Sequence, residues 1–225
     1  MTRMGSAGEH AEMPWGIDSL DAPAALGFSP AKSPVRLWKE IVDRLDLSRP
    51  ELGERVKGGT SSHWSRVIET LLRGHYAVRT GYRLQRTKQS RHAEHPWMLG
   101  GWADHVARSA QVELLMCLSV GSSEVALWCD EMPLDIRACA LHELVVASAK
   151  AIDVMVLLGG RDLQVHRVRV EPRAVGELVA REAAFWECVQ ARRPPSADIA
   201  LDSRVLLDLP IERIDNEFLA LRSCS

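Results

Sequence analysis

A chain of 225 residues with 46% hydrophobic and 26% charged side chains can bury a substantial core, which excludes a disordered polypeptide. No apolar run approaches the ~20 residues that cross a bilayer, and residues 1–13 carry no apolar segment of the signal-peptide kind, so a soluble, cytoplasmic protein is expected. A formal net charge of −2 argues against a globally basic nucleic-acid binder, while leaving room for a local basic groove.

Residues 1–15 mix Gly, Ser, Ala, Glu and His without periodicity and read as a flexible tail. Pro34 opens an amphipathic helix in which Val35, Trp38, Ile41, Val42 and Leu45 recur at helical spacing. A polar loop follows from Ser48 to His63. In it Thr60, Ser61 and Ser62 are N-cap candidates for a second helix, which carries Trp64, Val67, Ile68, Leu71, Leu72 and Tyr76 on one face and ends near Gly81. Residues 82–88, 97–106, 112–120 and 125–129 read as short strands, and Pro133 opens a helix to about Ala149. Residues 153–158 and 163–170 are β-rich and joined by Gly159-Gly160-Arg161-Asp162, a hairpin signal. A long helix from Pro172 to Gln190 turns Val175, Leu178, Val179, Phe185 and Trp186 inward, and Pro194-Pro195 ends it. A last amphipathic stretch runs from Ile211 to Leu221. The pattern is α/β, or α+β with a mixed central sheet flanked by helices. The expected organisation is a tail at 1–15, a domain at 16–197 and a C-terminal tail at 198–225 with a short helix.

The five cysteines form no C-x-x-C pair and read as reduced thiols in packed segments. His63, His92, His95 and His105 lack metal-ligand spacing. Arg83, Arg86, Lys88 and Arg91 form a small basic run, read either as a solvated face or as the lining of a DNA groove. Gly159-Gly160 is no phosphate loop, since no Lys-Ser/Thr follows.

Four phrases in order carry a family resemblance. The first runs from Gly16-Ile17 to Asp21-Ala22, then Ala25-Leu26-Gly27-Phe28-Ser29-Pro30, Lys32-Ser33-Pro34 and Leu37-Trp38. The second is Trp64, Glu69 and Tyr76 with Arg79-Thr80-Gly81, and the third is His95-Pro96-Trp97-Met98-Leu99. The fourth is Val156-Leu157-Leu158-Gly159-Gly160, continued by Phe185-Trp186-Glu187 and Pro194-Pro195. Together they resemble the YqaJ-type viral recombinases, relatives of lambda exonuclease in the PD-(D/E)xK nuclease superfamily. The resemblance implies a restriction-endonuclease-like core, a metal-dependent DNA exonuclease of phage recombination, a single-strand-annealing recombinase as partner, and a ring-shaped homotrimer.

Hydrolysis of a phosphodiester needs Mg²⁺ (or Mn²⁺) held by fixed carboxylates, and a lysine to handle the attacking water. By resemblance the site residues are Glu69 on the second helix, a strand Asp, and Glu-x-Lys on the next strand. Glu69 and Glu113 match, but the strand Asp falls on Ala103, and Asp104 stands one place later. In a regular strand that displacement turns the side chain to the opposite face, unless an irregularity near Gly100-Gly101 restores it. Leu115 stands where the lysine belongs, and Cys139 and Leu141 replace a Gln-x-Gln pair. Arg108 and Arg137 are the local cations left to substitute for the lysine, although a guanidinium is a poor proton carrier. The phosphate-approaching Gly-Gly-Ser-Asp segment reads Asp18-Ser19-Leu20-Asp21, which puts Leu20 in place of the serine. The DNA-contact positions implied are Ser19, Asp21, Lys32, Arg83 and Lys88.

The leading expectation is a catalytically impaired nuclease fold that acts by binding double-stranded DNA or a protein. One alternative is an active exonuclease in which Glu69, Asp104 and Glu113 form a rearranged site around Mg²⁺ or Mn²⁺. Another is a protein-interaction module that engages a nuclease or defence complex.

Overall fold

Alternation is weak in 114–118, because Leu-Leu-Met-Cys-Leu is apolar at every position, as in a strand covered on both faces. That segment is the centre of the fold. In the computed structural model, which describes residues 15–46, 63–107, 109, 112–129, 131–196 and 202–214, it lies in strand β6. The elements in chain order are β1 (Ile17–Asp18), α1 (Ala22–Ala25), α2 (Pro34–Asp46), α3 (His63–Thr80), β2 (Arg83–Gln85), β3 (Ser90–Arg91), β4 (Met98–Gly100), β5 (Asp104–Ala107) and β6 (Leu114–Val120). They continue through a 3₁₀ turn (Val125–Trp128), α4 (Leu134–Val146), β7 (Ala151–Leu158), β8 (Asp162–Arg169), α5 (Pro172–Gln190), α6 (Ser203–Leu207) and β9 (Ile211–Ile214). Six strands form one sheet in the order β2-β5-β6-β7-β8-β9, parallel only between β6 and β7, and β1-β4-β3 form a smaller sheet. A parallel neighbour cannot be joined by a tight turn, and α4 supplies the crossover from β6 to β7.

The central strands are covered on both faces. Leu114, Met116, Leu118, Ile152, Val154, Val156 and Val168 pack against Ala138, Leu141, Leu144 and Val145 of α4. On the other face Leu115, Cys117, Met155 and Val165 pack against Leu72 and Tyr76 of α3. A third cluster joins α1, α2 and α5 through Leu37, Ile41, Phe185 and Trp186. At the β7–β8 hairpin both Gly159 (φ +57°) and Gly160 (φ +72°) are left-handed, a conformation glycine takes without a Cβ clash.

Several expected elements differ. The expected strand at 125–129 is instead a 3₁₀ turn over Val125–Trp128, with Cys129 as its C-cap. The apolar run 97–106 is two strands in different sheets, and 82–88 yields only β2, with β3 beyond it. Leu71 points to solvent, 66% exposed, as does Val78 at 80%, so the inward face of α3 is narrower than its sequence suggests. Ile211–Ile214 is a strand that extends the sheet against β8, and the short helix of this region lies earlier, at Ser203–Leu207. The N-cap candidates Thr60 to Ser62, the stretch from 215 onward, Arg108 and residues 1–14 lie outside the described residues. Four cysteines (117, 129, 139 and 188) are free thiols.

One polar feature is built into the apolar centre. Asp153, in the middle of β7, is fully buried and accepts hydrogen bonds from Arg167 Nε (2.7 Å), Arg167 Nη2 (2.9 Å) and the Tyr76 hydroxyl (2.7 Å). Burial and the Asp153 charge push the Tyr76 hydroxyl well above its ordinary range, so it stays a donor. Asp153→Ala removes the carboxylate that takes two hydrogen bonds from the buried Arg167 guanidinium, a loss of about 3–5 kcal/mol, measurable by urea denaturation. A loss of about 1 kcal/mol or less, the size typical of an exposed pair, would contradict this.

Candidate functional site

Register places a row of side chains across the α3-covered face of the sheet. Asp104 pairs with Leu115, Leu115 with Asp153, Asp153 with Arg167, and Arg167 with Glu212. Residues opposite one another in a ladder share a face. Leu115 therefore sits between two acids.

Asp104 thus lies on the face of Leu115 and not opposite it, while Ala103 is buried in the core under α4. The regular alternation assumed from sequence is broken at Gly101, whose φ of +124° turns the chain from the small sheet into the large one. The carboxylate of Asp104 is 2.6 Å from Nε of Arg73 on α3. Burial raises its pKa more than Arg73, Arg86 and His105 lower it. Glu69 stands one helical turn before Arg73 on the same side of α3. The Cys117 thiol lies among these charges: burial first, then Asp104, push it up to about 12, with Arg73 opposing and Glu69 adding.

Glu113 goes elsewhere. It is exposed just before β6, and its carboxylate accepts the backbone N–H of Lys150 at the start of β7. Arg137, a candidate replacement for the lysine, is remote in function: its guanidinium donates to the carbonyls of Met132 (2.7 Å) and Leu206 (3.1 Å) and pairs with Glu131, which pins α6 to α4. Cys139 and Leu141 are core residues of α4, and Leu20 is half exposed.

A metal centre of the expected kind asks for carboxylates that converge on one point with a free coordination sphere. Here Asp104 is engaged by Arg73, Glu113 by a backbone amide and Asp153 by Arg167. Leu115 contributes only methyl groups, and among the described residues no three His, Cys, Asp or Glu side chains are grouped to hold an ion. The residues present do not fit the metal that the resemblance implies.

The implied DNA-contact positions fall into two groups. Ser19 is buried and donates to Glu143, and Lys32 bridges Asp21 and Glu40 at 2.9 Å each, so these three are engaged within the chain. Arg83 and Lys88 are exposed on and after edge strand β2, with Arg86 between them. Residues 82–93 contain no acid. His92 and His95 stack on each other at 5.0 Å.

Sequence reasoning missed the clamp made by α4. Glu143 is buried and accepts from the Ser19 hydroxyl and from the backbone N–H groups of Gly101 (3.2 Å) and Trp102 (2.9 Å), fixing the turn that delivers Asp104. Its neighbour His142 donates through Nε2 to the Leu99 carbonyl (3.0 Å) and meets Glu182 of α5 through Nδ1 (2.8 Å). Burial alone would lower the His142 pKa. The Glu182 charge and hydrogen bond, with Glu143 and the Leu99 carbonyl, outweigh it and raise the value to about 9. A pKa raised from 6.5 to about 9 gives stability that is complete below pH 6.5 and is lost as pH rises through 9. Urea midpoints should therefore fall between pH 6.5 and 9 in the native chain, and much less so in Glu182→Gln. An equal fall in both would contradict the assignment.

The chain matches the family described as the YqaJ-like viral recombinase domain over residues 13–147, more than half of its length. Comparison with curated proteins finds no significant match. Among solved structures, an alkaline exonuclease (LHK-Exo) from Laribacter hongkongensis superposes with a TM-score of 0.64 at 10% identity, covering 81% of this chain and 91% of the exonuclease. The same exonuclease in complex with dAMP gives 0.64 at 10% identity, with 79% and 89% covered. At that identity the likeness shows a shared fold.

Proposed function

We propose that this chain, which belongs to the YqaJ-like viral recombinase domain family, is a nuclease-fold protein that binds DNA without hydrolysing it. The observation that carries the reading is Leu115, buried and apolar between Asp104 and Asp153, at the position where the chemistry needs an ammonium. Loss of a single group that stabilises a transition state costs ~10²–10³ in rate. Here the lysine is absent, and the acids that would bind metal are engaged by arginine or backbone.

DNA, the substrate class of exonucleases, is the partner the charge distribution favours. Arg83 on edge strand β2 and Arg86 and Lys88 just after it are exposed in a stretch with no acid, on a chain whose net charge is −2. Cations on an edge also discourage strand-to-strand aggregation, so binding must be measured. The placement of Asp104 beside Glu69's helix favours a second reading, an exonuclease with rearranged acids, and the same assay separates the two.

Linear 5′-phosphorylated duplex incubated with Mg²⁺ or Mn²⁺ should remain intact. Digestion that disappears in Asp104→Asn or Glu113→Ala would overturn the proposal in favour of the second reading. In fluorescence anisotropy the native chain should bind duplex with a salt slope of about −0.9 per phosphate contacted. Replacing Arg83, Arg86 and Lys88 together by Ala should remove up to about three such units and weaken binding throughout. A chain that fails to bind DNA at low salt would point instead to a protein partner.

A further inference from the structure

We infer that Arg73 is the resident cation of this face: its guanidinium holds Asp104 in place of a divalent ion, and the face takes up Mg²⁺ or Mn²⁺ only when that guanidinium is removed. The inference rests on the non-hydrolytic reading and adds to it the residue that enforces it.

The geometry is that of a filled position. Arg73 Nε is 2.6 Å from Asp104 Oδ2, and both side chains are largely withdrawn from solvent. A divalent ion binds carboxylate oxygen at about 2.1 Å, so ion and guanidinium cannot share that oxygen's approach. Two positive groups at such separation in a buried setting also repel strongly. Each buried acid of the row has its own guanidinium: Asp104 has Arg73 and Asp153 has Arg167, with neutral Leu115 between the two acids. Arg73 and Glu69 stand one helical turn apart on the same side of α3. Without Arg73 the Asp104 carboxylate loses its hydrogen-bonded cation and keeps only the weaker pull of Arg86 and His105, and one carboxylate with waters suffices for a modest divalent site.

The reading departs from an ordinary structural ion pair in one measurable respect. A purely structural pair, once broken, leaves a destabilised protein indifferent to metal. A resident cation, once removed, leaves a site that a metal refills. Arg73→Gln deletes the charge and leaves a shorter, polar, unbranched side chain, and Mn²⁺ uptake can be followed by electron paramagnetic resonance at mildly alkaline pH. The native chain and Arg73→Lys should show no saturable uptake. Arg73→Gln should bind one Mn²⁺, and the double variant Arg73→Gln/Asp104→Asn should lose it. Saturating Mn²⁺, about 100-fold above Kd, should raise the melting temperature of Arg73→Gln by about 5–10 °C and leave the native chain unchanged. If Arg73→Gln fails to fold without metal, recovery on refolding with Mn²⁺ supports the inference and failure to recover overturns it. A folded Arg73→Gln that takes up no Mn²⁺ overturns the inference and leaves the non-hydrolytic reading standing. Uptake by the native chain through Asp104 overturns the inference, and DNA digestion by that metal-bound chain would bring down the non-hydrolytic reading as well.

Discussion

A carboxylate placed on the covered face of a sheet must be neutralised, because an isolated charge there costs far more than a fold of this size can spare. Three agents can do it: a bound metal, a proton, or a basic side chain. On the face beneath α3 the third solution is used twice, with Arg73 from the helix and Arg167 from the neighbouring strand. The consequence for chemistry is direct. A divalent ion keeps open coordination positions for water and phosphate, whereas a guanidinium offers only N–H donors and never gives up its proton near neutral pH. The same arrangement that stabilises the face leaves Asp104 and Asp153 hydrogen-bonded or ion-paired to arginine.

The face is held in register from behind. His142 and Glu143, adjacent on α4, reach the backbone of 99, 101 and 102, while Ser19 ties β1 to the same carboxylate. Glu182 links this junction to α5. These contacts set the turn at Gly101, and the turn decides which way Asp104 points. A buried histidine–glutamate pair thus acts on the candidate site through geometry, at one remove from any reacting atom.

Much of this was legible in the residues. The α/β character, the bounds of α5 and the β7–β8 hairpin follow from periodicity, Pro172 and the paired glycines. Leu115, two residues after Glu113, reads as a core position in the sequence, and it is buried on the α3-covered face. The Asp153–Arg167 pair was also within reach: counting outward from the Gly159-Gly160 turn, Leu158 meets Asp162 and so Asp153 meets Arg167. Asp104 was not legible, since alternation cannot be carried through a left-handed glycine that moves the chain between sheets. Nor was Arg73, which looks like any arginine on an amphipathic helix until the strand beneath it is known. Leu71 misled because α3 turns only a narrow stripe, with Leu72 and Tyr76, onto the sheet, and leaves Leu71 and Val78 exposed.

What occupies the space beside Asp104 decides whether this face can hold a metal. A crystal structure grown in millimolar Mn²⁺, with anomalous data collected near the manganese edge, would show it directly. The expected density has the Arg73 guanidinium on Asp104, Glu113 turned to the amide of Lys150, and no anomalous peak on this face. An anomalous peak coordinated by Asp104 together with Glu69 or Glu113, with Arg73 swung aside, would contradict it.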